Sequence, residues 1–218
     1  MTTRRDFLRT GTSAFAGALL LASGACSRQS ERESATTGRF TRRTLGRTGL
    51  QLPVVSMGSC YAIDLVRTAL DRGIVYIHTS SDYSEQNHER LLGGVFENRP
   101  RDSFVVATSP NLPYRFAKGR GRSLDLGTGA DPDLIFDSIN GSLERLKLDY
   151  VDIYYLASLG TREAVLHEPY LKAFDKLKTD GKTRFVGVTT HENEPTVIRA
   201  AAESGFWDIV LRWRRICG

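Results

Sequence analysis

"VYIHTSSDYSEQNHERLLGG" (residues 75–94) begins apolar and β-branched, then turns abruptly polar at His78, with Tyr83 shortly after. Leu91, Leu92, Val95 and Phe96 follow at helical spacing. This reads as a strand that opens through a polar turn into an amphipathic helix. Proteins built on parallel strands place their chemistry at such strand ends. His78 and Tyr83 are therefore the first candidate functional residues.

The same rhythm extends in both directions. Apolar runs at 53–58 ("PVVSMG"), 74–79 ("IVYIHT"), 103–109 ("SFVVATS"), 150–157 ("YVDIYYLA"), 183–190 ("TRFVGVTT") and 207–211 ("WDIVL") read as strands. Between them, helical periods place Leu65, Val66, Ala69 and Leu70 on one face, and Ile135, Ile139, Leu143 and Leu146 on another. Tyr170, Phe174 and Leu177 form a third face, and Val197, Ile198, Ala201 and Ala202 a fourth. Gly73, Gly181 and Gly205 follow helices where a left-handed cap is wanted, while Pro132 and Pro195 sit where helices open. Alternating strands and helices predict a parallel sheet with right-handed crossovers, covered by helices as in a barrel or a doubly wound sheet. Two stretches break the rhythm. Residues 39–53, around Gly46 and Gly49, read as a hairpin ahead of the repeat. Residues 111–130 read as a long loop whose "KGRGR" (118–122) is either a solvated mobile segment or an attractor of anions.

The first twenty-five residues have another character. "TRRDFLR" (Thr3–Arg9) followed by an Ala-, Leu- and Gly-rich stretch has the form of a twin-arginine export signal, too short and glycine-rich to favour a membrane span. This predicts recognition by the twin-arginine export machinery and a place in the periplasm or cell envelope. Cys26 follows "SGA" in an approximation of a lipoprotein box, so a lipid anchor there is one expectation, and residues 26–38 read as a polar linker. The whole chain carries a net charge of +5; the signal holds three arginines and one aspartate, so its removal leaves +3. So mild a charge, without a basic-aromatic motif, does not point to nucleic acid. Cys26, Cys60 and Cys217 show neither metal nor redox spacing, and three cysteines do not suggest a disulfide framework.

Taken together, "RTLGRTGLQLPVVSMGS", "ALDRGIVYIHTSSDYS…NHERLLG", "SLERLKLDYVDIYYL" and "DGKTRFVGVTT" resemble the aldo/keto reductases, across residues 40 to 211. The resemblance implies an α/β fold of the (β/α)8 TIM-barrel type and NAD(P)H-linked reduction of a small-molecule carbonyl substrate. It divides the chain into the signal (1–25), the linker, a barrel portion (39–211) and a tail (212–218). The family's "DTAxxYG" falls on "HTSSDYS": Tyr83 holds the proton-donating tyrosine position and His78 the aspartate position. The lysine position falls on Ser109 and the histidine position on Ala157. On the cofactor side, "GVSN" reads "GVTT", leaving Thr189 and Thr190 as cofactor-binding candidates with Gly58, and the glutamine of the sixth strand falls on Leu211. The resemblance thus implies NADP or NAD, with the catalytic tetrad degenerate. After Leu211 come only "RWRRICG" (212–218), so about six of the eight strand–helix units are expected, without the strands that carry pyrophosphate and adenosine sites in the family.

Two readings of His78 follow. In one, its imidazole replaces the missing lysine as cation or proton relay for Tyr83, since an unperturbed imidazole titrates near neutrality. In the other, it is a polar residue filling the space left by the aspartate and lysine. A metal site from His78 and His191 lacks the usual ligand spacing. His88 and His167 read as surface residues at helix starts, and Ser109 equally as a strand cap. On function, an exported oxidoreductase stands against a pseudo-enzyme or truncated chain without turnover.

Overall fold

The computed structural model describes residues 40–117, 121–124, 126 and 131–212; the side chains of 116, 117, 121 and 122 are not described. The export signal, the linker and Cys26 lie outside the described residues, as does most of the tail.

Chain order is β1 (Arg42–Thr44), β2 (Gln51–Pro53), α1 (Ile63–Asp71), β3 (Tyr76–His78), α2 (Asn87–Phe96) and β4 (Val105–Thr108). Then come β5 (Tyr114–Ala117), β6 (Gly121–Leu124), α3 (Asp133–Leu146), β7 (Val151–Leu156), α4 (Arg162–Val165) and α5 (Glu168–Thr179). β8 (Thr183–Thr190), α6 (Glu194–Ser204) and β9 (Ile209–Arg212) complete it. The main sheet is parallel and ordered β3-β4-β7-β8-β9. Strands therefore join in the order the chain makes them. A doubly wound sheet reverses its order at a switch point, and this one does not. The sheet curls into part of a (β/α) barrel.

Period-2 alternation sends the strand residues to two different cores. Ile77, Val106, Tyr154, Leu156, Val186 and Val188 pack outward against helix residues such as Leu92, Ile139, Phe174 and Val197. Tyr76, Ala107, Ile153, Tyr155 and Ile209 point inward, where Leu50 and Leu52 of the β1–β2 hairpin join them. The hairpin thus contributes apolar side chains to the barrel interior. This inner cluster contains no helix residue, which places all the packed helices on the outer face.

Several expectations need correction. Residues 53–58 do not form a full strand: Pro53 ends β2, and only Met57 pairs with β3, in a single parallel bridge to Ile77. The Met57 N–H donates to Tyr76 O at 3.0 Å, and the His78 N–H to Met57 O at 2.8 Å. The stretch expected to be a loop contains the antiparallel β5–β6 hairpin, with Tyr114 opposite Leu124. Leu112 and Leu124 anchor it in the outer core, so apolar burial orders what composition marked as loop. Of "KGRGR", residues 118–120 lie outside the described residues. Leu65, Ile198 and Ala202 are exposed, because successive helical residues stand 100° apart and Val66, Val197 and Ala201 take the inward positions. The three caps hold: φ is 91° at Gly73, 72° at Gly181 and 66° at Gly205.

His88 is not on the surface. It is fully buried on the inner face of α2. Its Nε2 meets the Cys60 backbone, with the N–H at 3.1 Å and the carbonyl oxygen at 3.2 Å, and its Nδ1 is hydrogen-bonded with Thr79 Oγ1 at 2.7 Å. Burial lowers its pKa, which favours the neutral form. The ring ties α2 to the strand ends. His167 is half-buried and lies edge-on to Tyr170, with ring centroids 4.8 Å apart.

One further polar cluster lies in the outer core. The buried Glu89 carboxylate of α2 accepts from Arg145 Nε of α3 at 2.8 Å and from Thr108 Oγ1 of β4 at 2.6 Å. It joins two helices to the strand whose end holds Ser109.

Candidate active site

The C-terminal ends of β3, β4, β7, β8 and β9 converge on a cavity of about 150 Å³. His78 and Tyr83 line it, as do Ser109, Ala157, Thr189, Thr190 and Leu211. Segments scattered over more than a hundred residues of sequence meet here. The chain's His191 and Arg212 complete the lining. Gly58 is exposed and does not line it, so it stands apart from the other candidates.

The His78 and Tyr83 rings stand edge-on, with centroids 6.5 Å apart at 65°. Tyr83 is carried by a tight turn in which Ser84, Glu85 and Gln86 all take positive φ (47°, 51° and 72°). Three consecutive left-handed residues without a glycine are costly, and such strain is retained where the surroundings over-determine the backbone. The turn hands the chain directly to α2, whose His88 and Glu89 are both held in buried hydrogen bonds.

Beneath His78 lies Tyr155, with ring centroids 5.4 Å apart, and its hydroxyl meets that of Tyr76 at 3.2 Å. Burial pushes the Tyr76 phenol up to about 12 and raises that of Tyr155 well above its usual value. Both stay protonated and supply no charge to the site. Gly187, opposite Tyr155 in the β7–β8 register, makes room for this ring. A Cβ there would stand 2.6 Å from the Tyr155 ring and 2.8 Å from the Ile209 carbonyl oxygen. Gly187→Ala is expected to lower stability by about 1–3 kcal/mol through overpacking, read as a fall in Tm by calorimetry. An unchanged Tm would show the floor to be looser than the packing indicates.

His78 decides the electrostatics. Burial lowers its pKa from the usual 6.5 to about 4; Asp82 opposes this, while His191 and His88 reinforce it. The imidazole is therefore neutral at pH 7, and its Nε2 is buried with no hydrogen-bond partner among the described residues. Such an unmade bond costs about 1–3 kcal/mol.

The remaining polar groups are mostly engaged. Ser109 Oγ donates to Ser80 Oγ at 2.7 Å, and the Ser109 carbonyl accepts from Ser81 Oγ at 3.0 Å. Ser109 thus caps its strand within a serine cluster. Thr189 Oγ1 accepts from the Ser158 N–H at 2.9 Å, and Thr190 Oγ1 donates to Glu192 O at 2.6 Å. The Thr189 hydroxyl keeps a proton to donate. Ala157 contributes only a methyl group. Among the described residues, no group of three His, Cys, Asp or Glu could hold a metal, so the His78–His191 pair lacks a third ligand.

A nicotinamide needs a face to lie on beside its substrate. The cavity, at about 150 Å³, offers room for roughly five waters at about 30 Å³ each, below the 300–1,000 Å³ of most ligand pockets. The described residues enclose room for one small group at the barrel mouth.

Sequence reasoning missed the Tyr76–Tyr155 floor and Arg212. Tyr155 was detectable from period-2 alternation with Ala157; Arg212 lay beyond the last recognisable apolar run.

The sequence model of the aldo/keto reductase family matches residues 45–212. L-galactose dehydrogenase of Arabidopsis thaliana is 34% identical over 163 residues, covering 67% of this chain and 47% of the relative. An uncharacterised Bacillus subtilis oxidoreductase is 29% identical over 167 residues, 72% of this chain and 51% of its own length. The chain therefore spans about half the length of these curated relatives. Among solved structures, the holo form of an aldo-keto reductase from Bacillus halodurans superposes with a TM-score of 0.62 at 25% identity, covering 81% of this chain and 58% of that one. A Klebsiella pneumoniae aldo-keto reductase in complex with NADPH shares the fold, with a TM-score of 0.55 at 22% identity over 74% of this chain and 53% of that one. With a matching sequence model over most of its length and the parallel sheet ordered as a curling barrel requires, this chain belongs to the aldo/keto reductase family.

Proposed function

We propose that this chain is an exported oxidoreductase-type protein that binds a small carbonyl compound at the barrel mouth, with a tetrad too degenerate for nicotinamide-dependent turnover. The observation that carries this reading is the company Tyr83 keeps. A free phenol, with a pKa of about 10, is a poor acid at pH 7 unless a nearby cation favours its anion. At the positions where the family places its aspartate, lysine and histidine, the cavity lining presents a neutral imidazole at His78, a hydroxyl at Ser109 and a methyl at Ala157. The permanent cation of the lining, Arg212, comes from β9, at the opposite end of the sheet order from β3. A base whose pKa lies near 4 is also a poor shuttle at neutral pH.

In the family the cofactor supplies hydride; here Thr189 and Thr190 are its candidate contacts, and NADP or NAD is the cofactor the lineage implies. The small cavity supports binding of one group rather than a ternary complex. Export rests on Thr3–Arg9, with Cys26 available for lipid attachment. No described helix is long and apolar enough to cross a membrane.

The test is direct. The full chain, given NADPH or NADH and a panel of short aldehydes, is expected to consume no reduced nicotinamide above the protein-free rate, followed by absorbance. Tyr83→Phe is expected to behave identically. Carbonyl reduction that disappears in Tyr83→Phe would overturn the proposal.

A further inference from the structure

We propose that the end of the barrel opposite its mouth, covered by the β1–β2 hairpin, docks on an anionic phospholipid bilayer through Arg42, Arg43 and the groove beside them. This rests on the reading of the chain as exported to the cell envelope and is independent of the cavity.

Arg47 fixes where the hairpin sits. Its Nη2 donates to the carbonyl oxygens of Gly205 at 3.0 Å and Trp207 at 2.8 Å, just ahead of β9. Leu50 and Leu52 enter the barrel interior beside Tyr76 and Ile209, at the starts of β3 and β9. The hairpin therefore covers the end at which the parallel strands begin.

Positive charge at this end exceeds negative. The buried Asp152 carboxylate meets both Arg101, at 2.7 Å, and Arg184, at 2.9 Å. Asp208 likewise lies 3.5 Å from Arg47 and 3.2 Å from Lys178. One carboxylate shared by two cations leaves each cluster positive. Lys147 with Glu97, and Arg99 with Asp71, cancel. Asp102 and Asp149 stand exposed here as well. Against those two acids stand Arg42, Arg43 and Arg72, all exposed, and Lys182, which donates to the neutral Asn140 amide. Residues 40–53 hold three arginines and no acidic residue.

Charge alone suits any polyanion; the apolar part of the surface selects a bilayer. Beside Arg43 runs an open groove of about 450 Å³, lined by Thr44, Leu45, Leu52, Pro53 and Val54. Val54 is 57% exposed, and Val55 next to it 45%. Arginines beside exposed aliphatic side chains match a bilayer interface. There the guanidinium meets lipid phosphate, and the aliphatic groups leave water among the upper acyl carbons. A nucleic acid offers phosphates without that apolar layer. The β5–β6 hairpin, with Arg115 and Arg122, is a basic segment at the barrel mouth. Asp82, Glu85, Asp131, Asp133, Glu192 and Glu194 stand at the strand-to-helix turns of that end and oppose an anionic surface.

The experiment sediments the full chain with vesicles of equimolar phosphatidylglycerol and phosphatidylcholine, and with vesicles of phosphatidylcholine alone. A DNA duplex at equal phosphate is the competing polyanion. The anionic vesicles are expected to bind about tenfold or more tighter than the neutral ones. That binding should fall as salt rises from about 0.1 M to about 0.5 M, where the Debye length shrinks from about 10 Å to about 4 Å. Arg42→Glu with Arg43→Glu should weaken it by about tenfold or more, while Arg42→Lys with Arg43→Lys retains it. Both variants carry the same N-terminal segment as wild type, so any contribution of that segment cancels. On the vesicles, amide hydrogen exchange should slow in residues 42–54 and stay unchanged in the β5–β6 hairpin. Equal binding of the two vesicle types, a duplex bound more tightly than anionic vesicles, a glutamate double variant that binds like wild type, or protection of β5–β6 in place of 42–54 would each overturn the proposal. The wild-type measurements decide even if a variant fails to fold. Export is read separately, by cell fractionation, so its failure is distinguishable from failure of the docking surface.

Discussion

Replacing Arg145 by methionine is expected to lower stability by about 3–5 kcal/mol, the cost of leaving a buried charge without its partner. The Glu89 side chain is wholly buried and that of Arg145 is 9% exposed. Arg145 Nη2 lies 2.7 Å from Glu89 Oε2, and Nε donates to the same oxygen at 2.8 Å. Without the guanidinium, the carboxylate keeps, among the described residues, Thr108 Oγ1 as its side-chain donor, at 2.6 Å on its other oxygen. The pair's net contribution is smaller than the loss on breaking it, since both charges were desolvated to form it. The double variant Glu89→Leu with Arg145→Met should therefore recover much of the loss. Urea unfolding measures both. A single variant within 1 kcal/mol of wild type would show that water reaches Glu89.

Acid should destabilise the protein through His78 well before its surface carboxylates are protonated. The ring titrates near 6.5 when unfolded and near 4 when folded, so between these values the unfolded chain binds the extra proton. The stability this neutral ring contributes is intact above about pH 6.5, falls as pH drops, and is fully lost below about pH 4. The depression amounts to roughly 3 kcal/mol at 1.36 kcal/mol per pKa unit. His78→Gln, which cannot titrate, isolates it. The difference in unfolding free energy between wild type and His78→Gln should shift by that amount across the window. A flat difference would mean that solvent already hydrates the imidazole in the folded state.

Local pattern and spacing were enough for most of the fold and for much of the site. The apolar runs that hold Tyr76, Ile77 and His78, and Ile153, Tyr154 and Tyr155, read as strands, and the structure keeps them as β3 and β7. The order of strands follows from short right-handed crossovers. Tyr83, Ser109, Ala157, Thr189 and Leu211 could be assigned to one rim because each ends a strand or follows one. The burial of His88 was not legible: "QNHERLL" looks polar at its start, and only the packing of α2 on the strand ends turns that face inward. Nor was the β5–β6 hairpin, whose Gly- and Arg-rich sequence carries a loop's composition while its flanking Leu112 and Leu124 are buried.

Sequence alone carried the family resemblance and the strand–helix alternation and offered the candidate site positions, because those depend on periodicity and order along the chain. The protonation state of His78, the pairing of Tyr76 with Tyr155 and of Glu89 with Arg145, and the size of the cavity were settled only in three dimensions. Each depends on how much water is excluded and on which distant side chain fills the space. Those quantities arise from packing and leave no periodic trace in the order of residues.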